Sequence, residues 1–378
     1  MKPKLLFLFP EGNLFYSPTT INLIKSLNGA FNISVIVNET SKENILNDLD
    51  FIFIPLKTNK IKSKYSRFRV SVVKRLKMLF QINKHFDLPT DDTYLFIEIK
   101  KIIKEINPFK VIAIDFFALR CCELLDQKCI FLSYEIPSKS IYSNSLTYEG
   151  IQFVIIQSLE RYHFLFGNLK YKPEYFILPN APIFNYPSKR TVPSKKLIYN
   201  GFIWSAFGVQ FCLNLVSKYT DYHLNLKGAV HSEQLVKIYF PHLLNYPNVT
   251  IETSYLKQDE LIDYLRNFSI GFCFYHFDHP FIKENDFNYE TGPSGKLHTY
   301  LSIGLPVICS NIKAFEKVAE FNAGILLNDF SPEALRNAVD LILDNYAYYS
   351  ENALKLAEES CFQKKFIPIF NHLITTSS

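Results

Sequence analysis

The sequence predicts an α/β protein made of two doubly wound domains, each a parallel sheet flanked by helices. Three observations carry this. Short apolar runs alternate with helical patterns along the chain, a proline-rich stretch interrupts the alternation near the middle, and 378 residues exceed what a single hydrophobic core usually serves. The expected division is 1–178 for the N-terminal domain, 179–195 for a linker, 196–350 for the C-terminal domain and 351–378 for a helical tail able to cross back to the first domain.

The runs KLLFLF (4–9), NISVIV (32–37), FIFIPL (51–56), KVIAID (110–115) and CIFLSY (129–134) are short, rich in β-branched or aromatic residues, and bounded by polar ones. Strands buried on both faces read this way. Helical patterns fall between them at Thr19–Leu27, Thr90–Ile106 and Phe116–Leu125. In the stretch 177–196, Pro179, Pro182, Pro187 and Pro193 leave little room for regular structure, which marks a linker. The rhythm then restarts with KLIYNG (196–201), a helix from Ala206 to Lys218, YHLNLKG (222–228) and VTIE (249–252). Helix 259–268, strand 269–275, helix 296–304, strand 306–309 and a long helical tail follow. In sheets of this kind ligands bind beyond the carboxyl ends of the strands, and two such edges are expected to form one cleft.

Composition narrows the class. Apolar residues make up 48% and charged residues 20%, which excludes a disordered tail and a coiled coil. The opening MKPKLLFLFPEG is interrupted too early for a secretory signal, and no apolar stretch nears the roughly 18 residues that span a bilayer. A soluble, cytoplasmic chain is expected. Its seven cysteines show no C-x-x-C spacing and read as reduced, buried thiols.

The most informative stretch is NYETGPSGKLHTYLSIGLPVICSN (288–311). Gly292, Pro293 and Gly295 make a tight turn, Ser294 is a good N-cap, and Lys296 falls in the first turn of the helix that follows. A cation is disfavoured there by the helix dipole unless an anion binds at the same place. Free amides, a glycine-rich turn and a lysine suit a phosphate or diphosphate; the alternative is an ordinary capped helix with its lysine in solvent. A P-loop is excluded, because G-x-x-x-x-G-K-[ST] would need glycine where Glu290 stands and Ser or Thr where Leu297 stands. No G-x-G-x-x-G follows either first strand, which argues against a dinucleotide site.

PSGKLHTYLSIGLPVI resembles the donor-binding segment of GT-B glycosyltransferases of family 4, which also contains sucrose and glycogen synthases. LPNAP (178–182) is similar to that family's interdomain linker, KLIYNGFI (196–203) to its first C-domain strand with the glycine after it, and YLKQDELIDYL (255–265) to its turn and helix before the penultimate strand. In the N-terminal half the resemblance rests on FLFPEGN, on VIAID and on FLSYEIP (131–137). It implies the GT-B fold and a retaining transfer of sugar from a nucleoside-diphosphate sugar to a saccharide or lipid-linked acceptor, with no metal or other cofactor.

Carried onto this chain, the resemblance assigns donor binding to Gly201, Phe202, Gly292, Pro293, Ser294, Gly295, Lys296, Leu297 and Thr299. Lys296 with the 292–295 turn would hold the diphosphate, and Glu290 would contact the donor sugar. The chain departs from the pattern in two places: Thr299 stands where the family has a ribose-binding glutamate, and FIWSAFG (202–208) lacks the usual basic pair. Acceptor-side chemistry falls to Glu135 or Asp115 at strand ends, with Gly12 and Asn13 beside them; a capping or salt-bridged carboxylate is the alternative for each acid. A sugar-nucleotide epimerase on the same fold, or a non-catalytic sugar- or nucleotide-binding protein, are the other readings.

The remaining signals are weaker. HFDHP (276–280) near Glu284 and Asp286 lacks diagnostic metal spacing and reads better as a lid over the sugar; His298 reads as packing, and Trp204 as either a core residue or a stack for a base. From Lys57 to Lys84 the chain carries ten Lys or Arg and no acid, which leaves the other 350 residues at −5 against a total of +5. Within this run, 70–86 spaces apolar residues as an amphipathic helix does, with Lys74, Arg75 and Lys77 mostly off the stripe and Arg67 just before it. Such a helix suits the headgroups of an anionic membrane, at the inner face of the cytoplasmic membrane, or equally a solvated face. Nucleic acid is not expected, for want of interleaved stacking aromatics. Abundant Phe, Tyr, Lys, Asn and Ile against 12 Gly suggest an AT-rich bacterial genome and a role in cell-surface polysaccharide synthesis.

Overall fold

The computed structural model describes residues 2–10, 12, 14, 17–38, 50–54, 90–136, 146–184, 193–230, 246–292 and 294–375, with the backbone alone at 50–54 and 90–94. Contacts divide the chain into two compact units, Met1–Ile177 with Pro368–Ser378, and Leu178–Ile367.

In the first unit the strands are β1 (Lys4–Phe9), β2 (Asn32–Asn38), β3 (Asp50–Ile54), β4 (Lys110–Ile114), β5 (Cys129–Ser133), β6 (Ile151–Ile156) and β7 (Glu174–Ile177). They lie side by side in the order β3-β2-β1-β4-β5-β6-β7, each pair parallel. Every residue of β4 and β5 is buried, which is why those segments read as unbroken apolar runs. Helices cover the sheet, among them Pro18–Leu27, Thr90–Ile106 and Asp115–Leu124. The last residues belong to this unit: the ammonium of Lys110 donates to the Leu373 carbonyl at 3.2 Å, and the His372 ring meets Phe153 at 4.7 Å.

The second unit holds β8 (Lys196–Asn200), β9 (His223–Lys227), β10 (Val249–Glu252), β11 (Ile270–Cys273), β12 (Val307–Ser310) and β13 (Gly324–Leu327) in the order β10-β9-β8-β11-β12-β13, again all parallel. In both sheets the order reverses beside the first strand, so β1 and β4, and β8 and β11, flank the switch points where doubly wound sheets open to ligands.

The expected strands all form, with ends shifted by a few residues, and three more complete the sheets. Strand β6 has the same apolar run as its neighbours, IQFVII, but lies in a stretch the sequence reading left unassigned. Strands β7 and β13 are four residues long, only partly buried at the sheet edges, and carry one β-branched residue each. The helix expected from Ala206 is broken: a single 3-10 turn, Ser205–Phe207, ends at Gly208, and the helix proper is Val209–Lys218. Gly208 has φ +70, and a Cβ there would stand 2.6 Å from that of Phe274, so the backbone turns where only glycine fits.

The tail comprises helices Pro332–Asp344, Tyr346–Ser360 and Phe362–Thr375. The second is pinned inside its unit by Ser350, whose hydroxyl donates to the Gly304 carbonyl at 2.6 Å. All seven cysteines are free and buried, as their apolar surroundings predict. No helix among the described residues is long and apolar enough to cross a membrane. The basic run 57–84, with Arg67, Lys74, Arg75 and Lys77, lies outside the described residues.

Candidate functional site

The site is built in the second unit, at the carboxyl ends of β8 and β9. Each strand ends on a glycine with an unusual backbone, Gly201 with φ +144 and Gly228 with φ +143. A Cβ on Gly228 would come within 1.9 Å of the Gly201 carbonyl oxygen, so the two loops meet backbone to backbone. Three parallel-type hydrogen bonds extend the contact beyond the strands: Gly201 N–H to the Lys227 carbonyl at 2.8 Å, Ile203 N–H to that of Ala229 at 2.9 Å, and Gly228 N–H to that of Glu252 at 3.0 Å.

Above Gly201 stands Lys296. Helix Gly295–Ser302 begins one residue before it, and the ammonium lies 4.5 Å from the centre of the Tyr199 ring and 5.7 Å from that of Phe207. It also donates to the Tyr199 hydroxyl at 3.4 Å, and that hydroxyl donates to the Phe202 carbonyl at 2.9 Å. A Cβ on Gly201 would stand 3.5 Å from the Lys296 Nζ, so the ammonium reaches over bare backbone. Burial pulls the lysine pKa below its usual value. No carboxylate among the described residues forms an ion pair with it. A cation held on aromatic faces, without a counter-ion among the described residues, over a glycine loop and beside the first amides of a helix, offers favourable ground to an anion.

The turn before the helix differs from expectation in one respect. Ser294 occupies the N-cap position but its hydroxyl makes no capping bond, so the first helical amides keep no side-chain acceptor from it. Gly295 lies close to Asn180: a Cβ there would stand 2.9 Å from the Asn180 Nδ2, which seats the residues after β7 against the turn. Pro293 lies outside the described residues, and Gly292 is buried as the C-cap of the short helix Asp286–Thr291. Leu297 and Tyr300 face the core; the Tyr300 hydroxyl accepts from Asn200 N–H at 2.6 Å, and its ring passes over Gly271, where a Cβ would lie 2.5 Å away. Thr299 turns its hydroxyl to its own helix, donating to the Gly295 carbonyl at 2.9 Å. Glu290 is exposed on helix Asp286–Thr291.

Where a second cation was missing from the sequence, aromatic rings gather. Trp204 packs against Phe281 at 4.6 Å, His279 at 5.1 Å, Phe207 at 5.8 Å and Phe202 at 6.1 Å, while Phe207 also meets Tyr289 at 6.0 Å. The HFDHP segment contributes to this wall. His279 Nδ1 accepts from the Phe281 N–H at 3.2 Å, His276 Nδ1 is bonded to the Gln210 amide at 2.8 Å, and Asp278 pairs with Lys283 at 3.4 Å. Among the described residues no three His, Cys, Asp or Glu side chains gather as a metal ion would require. His298 is buried with neither ring nitrogen hydrogen-bonded among the described residues, and burial, with nearby Lys317, lowers its pKa to about 4.

The first-unit candidates lie at the carboxyl ends of β1, β4 and β5. Asp115 has φ +61, rare for a residue with a side chain, and its Oδ1 accepts from the Tyr134 N–H at 2.7 Å and the Glu135 N–H at 3.2 Å. Its carboxylate therefore ties the end of β5 to the start of helix Asp115–Leu124. Glu135 is exposed; Gly12 sits under the Phe9 ring, which a Cβ would overlap, and Asn13 lies outside the described residues. Tyr134, which the sequence reading passed over, joins its hydroxyl to that of Thr20 at 2.8 Å.

The sequence reading likewise did not single out Tyr199, Phe207 and Gly228. Only Gly228 left a trace, as a glycine closing the second strand of its sheet just as Gly201 closes the first.

Two Rossmann-like units of this strand order define the GT-B architecture, and solved structures of that fold match the whole chain. Sucrose-phosphate synthase from Thermosynechococcus elongatus superposes with a TM-score of 0.68 at 12% identity, over 99% of each chain. HepE from Anabaena, solved with UDP and glucose, gives 0.66 at 10% identity, also over 99% of each. A putative UDP-N-acetylglucosamine 2-epimerase from Listeria monocytogenes gives 0.55 at 11% identity, over 93% of this chain and 91% of its own. No family model matches the sequence. No curated protein matches it either.

Proposed function

We propose that the protein is a retaining glycosyltransferase that moves a sugar from a nucleoside-diphosphate sugar to a saccharide or lipid-linked acceptor. The observation that carries this is the Lys296 ammonium, unpaired by any described carboxylate, over the Gly201 loop and in the first turn of helix Gly295–Ser302. As the bond between the anomeric carbon and the diphosphate breaks, negative charge grows on the departing phosphate. A preorganised cation and helix amides stabilise that charge most where it is largest, in the transition state. The fold shared with a sucrose-phosphate synthase and with a protein solved with UDP and glucose supports the donor class. Lys296→Ala should lower turnover by about 100- to 1,000-fold with the fold intact; near-normal turnover overturns the assignment.

Donor binding by Gly201, Phe202, Gly292, Pro293, Ser294, Gly295, Leu297 and Thr299, contact of Glu290 with the sugar, and an acceptor-side role for Glu135 belong to the same proposal, as does chemistry without a metal. So does a place in cell-surface glycan synthesis at the inner face of a bacterial membrane, for which the ten cations of 57–84 are the support. Charge reversal of Lys74, Arg75 and Lys77 should abolish sedimentation with anionic vesicles.

Sugar-nucleotide epimerisation is the second reading, and the 2-epimerase neighbour is the observation in its favour. An epimerase interconverts sugar-nucleotides without an acceptor. A transferase releases free nucleoside diphosphate when an acceptor is supplied.

A further inference from the structure

We infer that the Trp204 indole is the docking face for the sugar ring of the donor, with its N–H reading one sugar hydroxyl. This rests on Lys296 holding the donor's diphosphate, and it says which part of this chain selects what the diphosphate carries.

The Lys296 ammonium lies 5.7 Å from the Phe207 ring centre, and Phe207 lies 5.8 Å from the indole. A sugar bonded to the terminal phosphate begins one oxygen away from the group the ammonium holds. One ring-sized step along the wall brings it to Trp204. Among the described residues four rings surround the indole, and all meet it tilted or edge-on, with interplanar angles of 54° to 83°; none of them lies flat on its face. The residue is half-buried and packs against the apolar core of its unit, so it is held in place with part of its surface open. Its N–H has no hydrogen-bond partner among the described residues and is not a sealed buried atom. An apolar ring face with a donor at its edge matches a neutral hexose, which presents apolar C–H faces rimmed by hydroxyl acceptors.

The loop composition makes the same point. FIWSAFG carries no cation to hold a second phosphate contact, and it does carry three aromatic rings. Recognition on this side of Lys296 is therefore by stacking rather than by charge.

Trp204 is the single tryptophan of the chain, so its emission reports this site alone. Thermal shift with UDP, GDP and ADP first identifies the base. The wild-type protein is then titrated with that nucleoside diphosphate and with its glucose, galactose, mannose and N-acetylglucosamine conjugates, following tryptophan emission. The free diphosphate should stabilise the fold and leave emission unchanged. At least one conjugate should shift or quench it and bind about tenfold more tightly. In Trp204→Phe and Trp204→Leu, calorimetry should show diphosphate affinity within about twofold of wild type and the sugar's advantage lost.

A change produced by the free diphosphate alone would place the base on the indole and overturn the proposal. So would conjugates that all leave emission unchanged, or an advantage that survives in both variants. If no nucleoside diphosphate stabilises the protein, the Lys296 reading fails first and takes this one with it.

Discussion

The Lys296 ammonium takes both a ring face and a hydroxyl acceptor from one residue, Tyr199, lying 4.5 Å from its ring centre and 3.4 Å from its oxygen. Tyr199 in turn closes onto the Phe202 carbonyl. A side chain of the sheet core thus positions the cation and the backbone of the loop that passes under it.

Tyr199→Phe separates these roles. It keeps the ring beneath the ammonium and removes the hydroxyl, so stability should fall by about 1 kcal/mol, the usual net worth of a hydrogen bond. The donor KM should rise several-fold while the fold, followed by circular dichroism, is kept. Unchanged kinetics would show that the hydroxyl does not position the lysine.

Gly228→Ala tests the loop contact. Its φ of +143 is a backbone region open mainly to glycine, and the new methyl would overlap the Gly201 carbonyl. Strain of this kind costs about 1–3 kcal/mol before the clash is counted. Urea unfolding should therefore show a loss of more than about 2 kcal/mol. A loss below about 0.5 kcal/mol, within the range of ordinary surface substitutions, would mean that the loops are free to part.

His298 predicts an acid limb. Its folded pKa, about 4, lies below the unfolded value of 6.5, chiefly because burial penalises the charged ring. The unfolded chain therefore binds a proton first as pH falls. The stability this residue contributes is present above pH 6.5 and is lost on the way to pH 4, at most about 3 kcal/mol. His298→Leu removes the titration and leaves no hydrogen bond unmade, since neither ring nitrogen has a partner among the described residues. Melting temperature against pH should be flatter in the variant between pH 4 and 6.5; parallel curves would refute the assignment.

Asp115→Asn distinguishes support from chemistry. Asparagine tolerates a positive φ and retains one side-chain oxygen for the Tyr134 and Glu135 amides. Near-wild-type stability with most of the turnover kept is expected of a residue that ties β5 to its helix. A fall of about 1,000-fold in kcat at unchanged stability would make the carboxylate a reacting group instead. Asp115→Ala, which keeps the strain and loses both bonds, should unfold earlier by about 2 kcal/mol.

Strand periodicity was legible because a strand buried on both faces is apolar along its whole length; β1, β2, β4, β5, β8 and β12 were readable for that reason. Strand β10, equally short and half-buried at an edge, was legible because VTIE carries three β-branched residues, whereas EYFI and GILL at the edges β7 and β13 carry one each. Among site residues, Gly295 and Lys296 were visible as local chemistry, a glycine turn followed by a cation at a helix start, and Gly201 through the family resemblance. Tyr199 was hidden because it looks like any apolar position of a core strand.

The linear chain, taken alone, already specified two parallel α/β sheets and a glycine-rich helix start carrying Lys296, since both follow from neighbours within a few residues. Folding alone decided that two glycine loops 27 residues apart touch, that a tyrosine 97 residues away holds the lysine, and that rings from Trp204 to Tyr289 form one wall. Those contacts depend on strand order, and side-by-side placement of β8 with β9 and β11 is a property of the packed sheet rather than of any short stretch of residues.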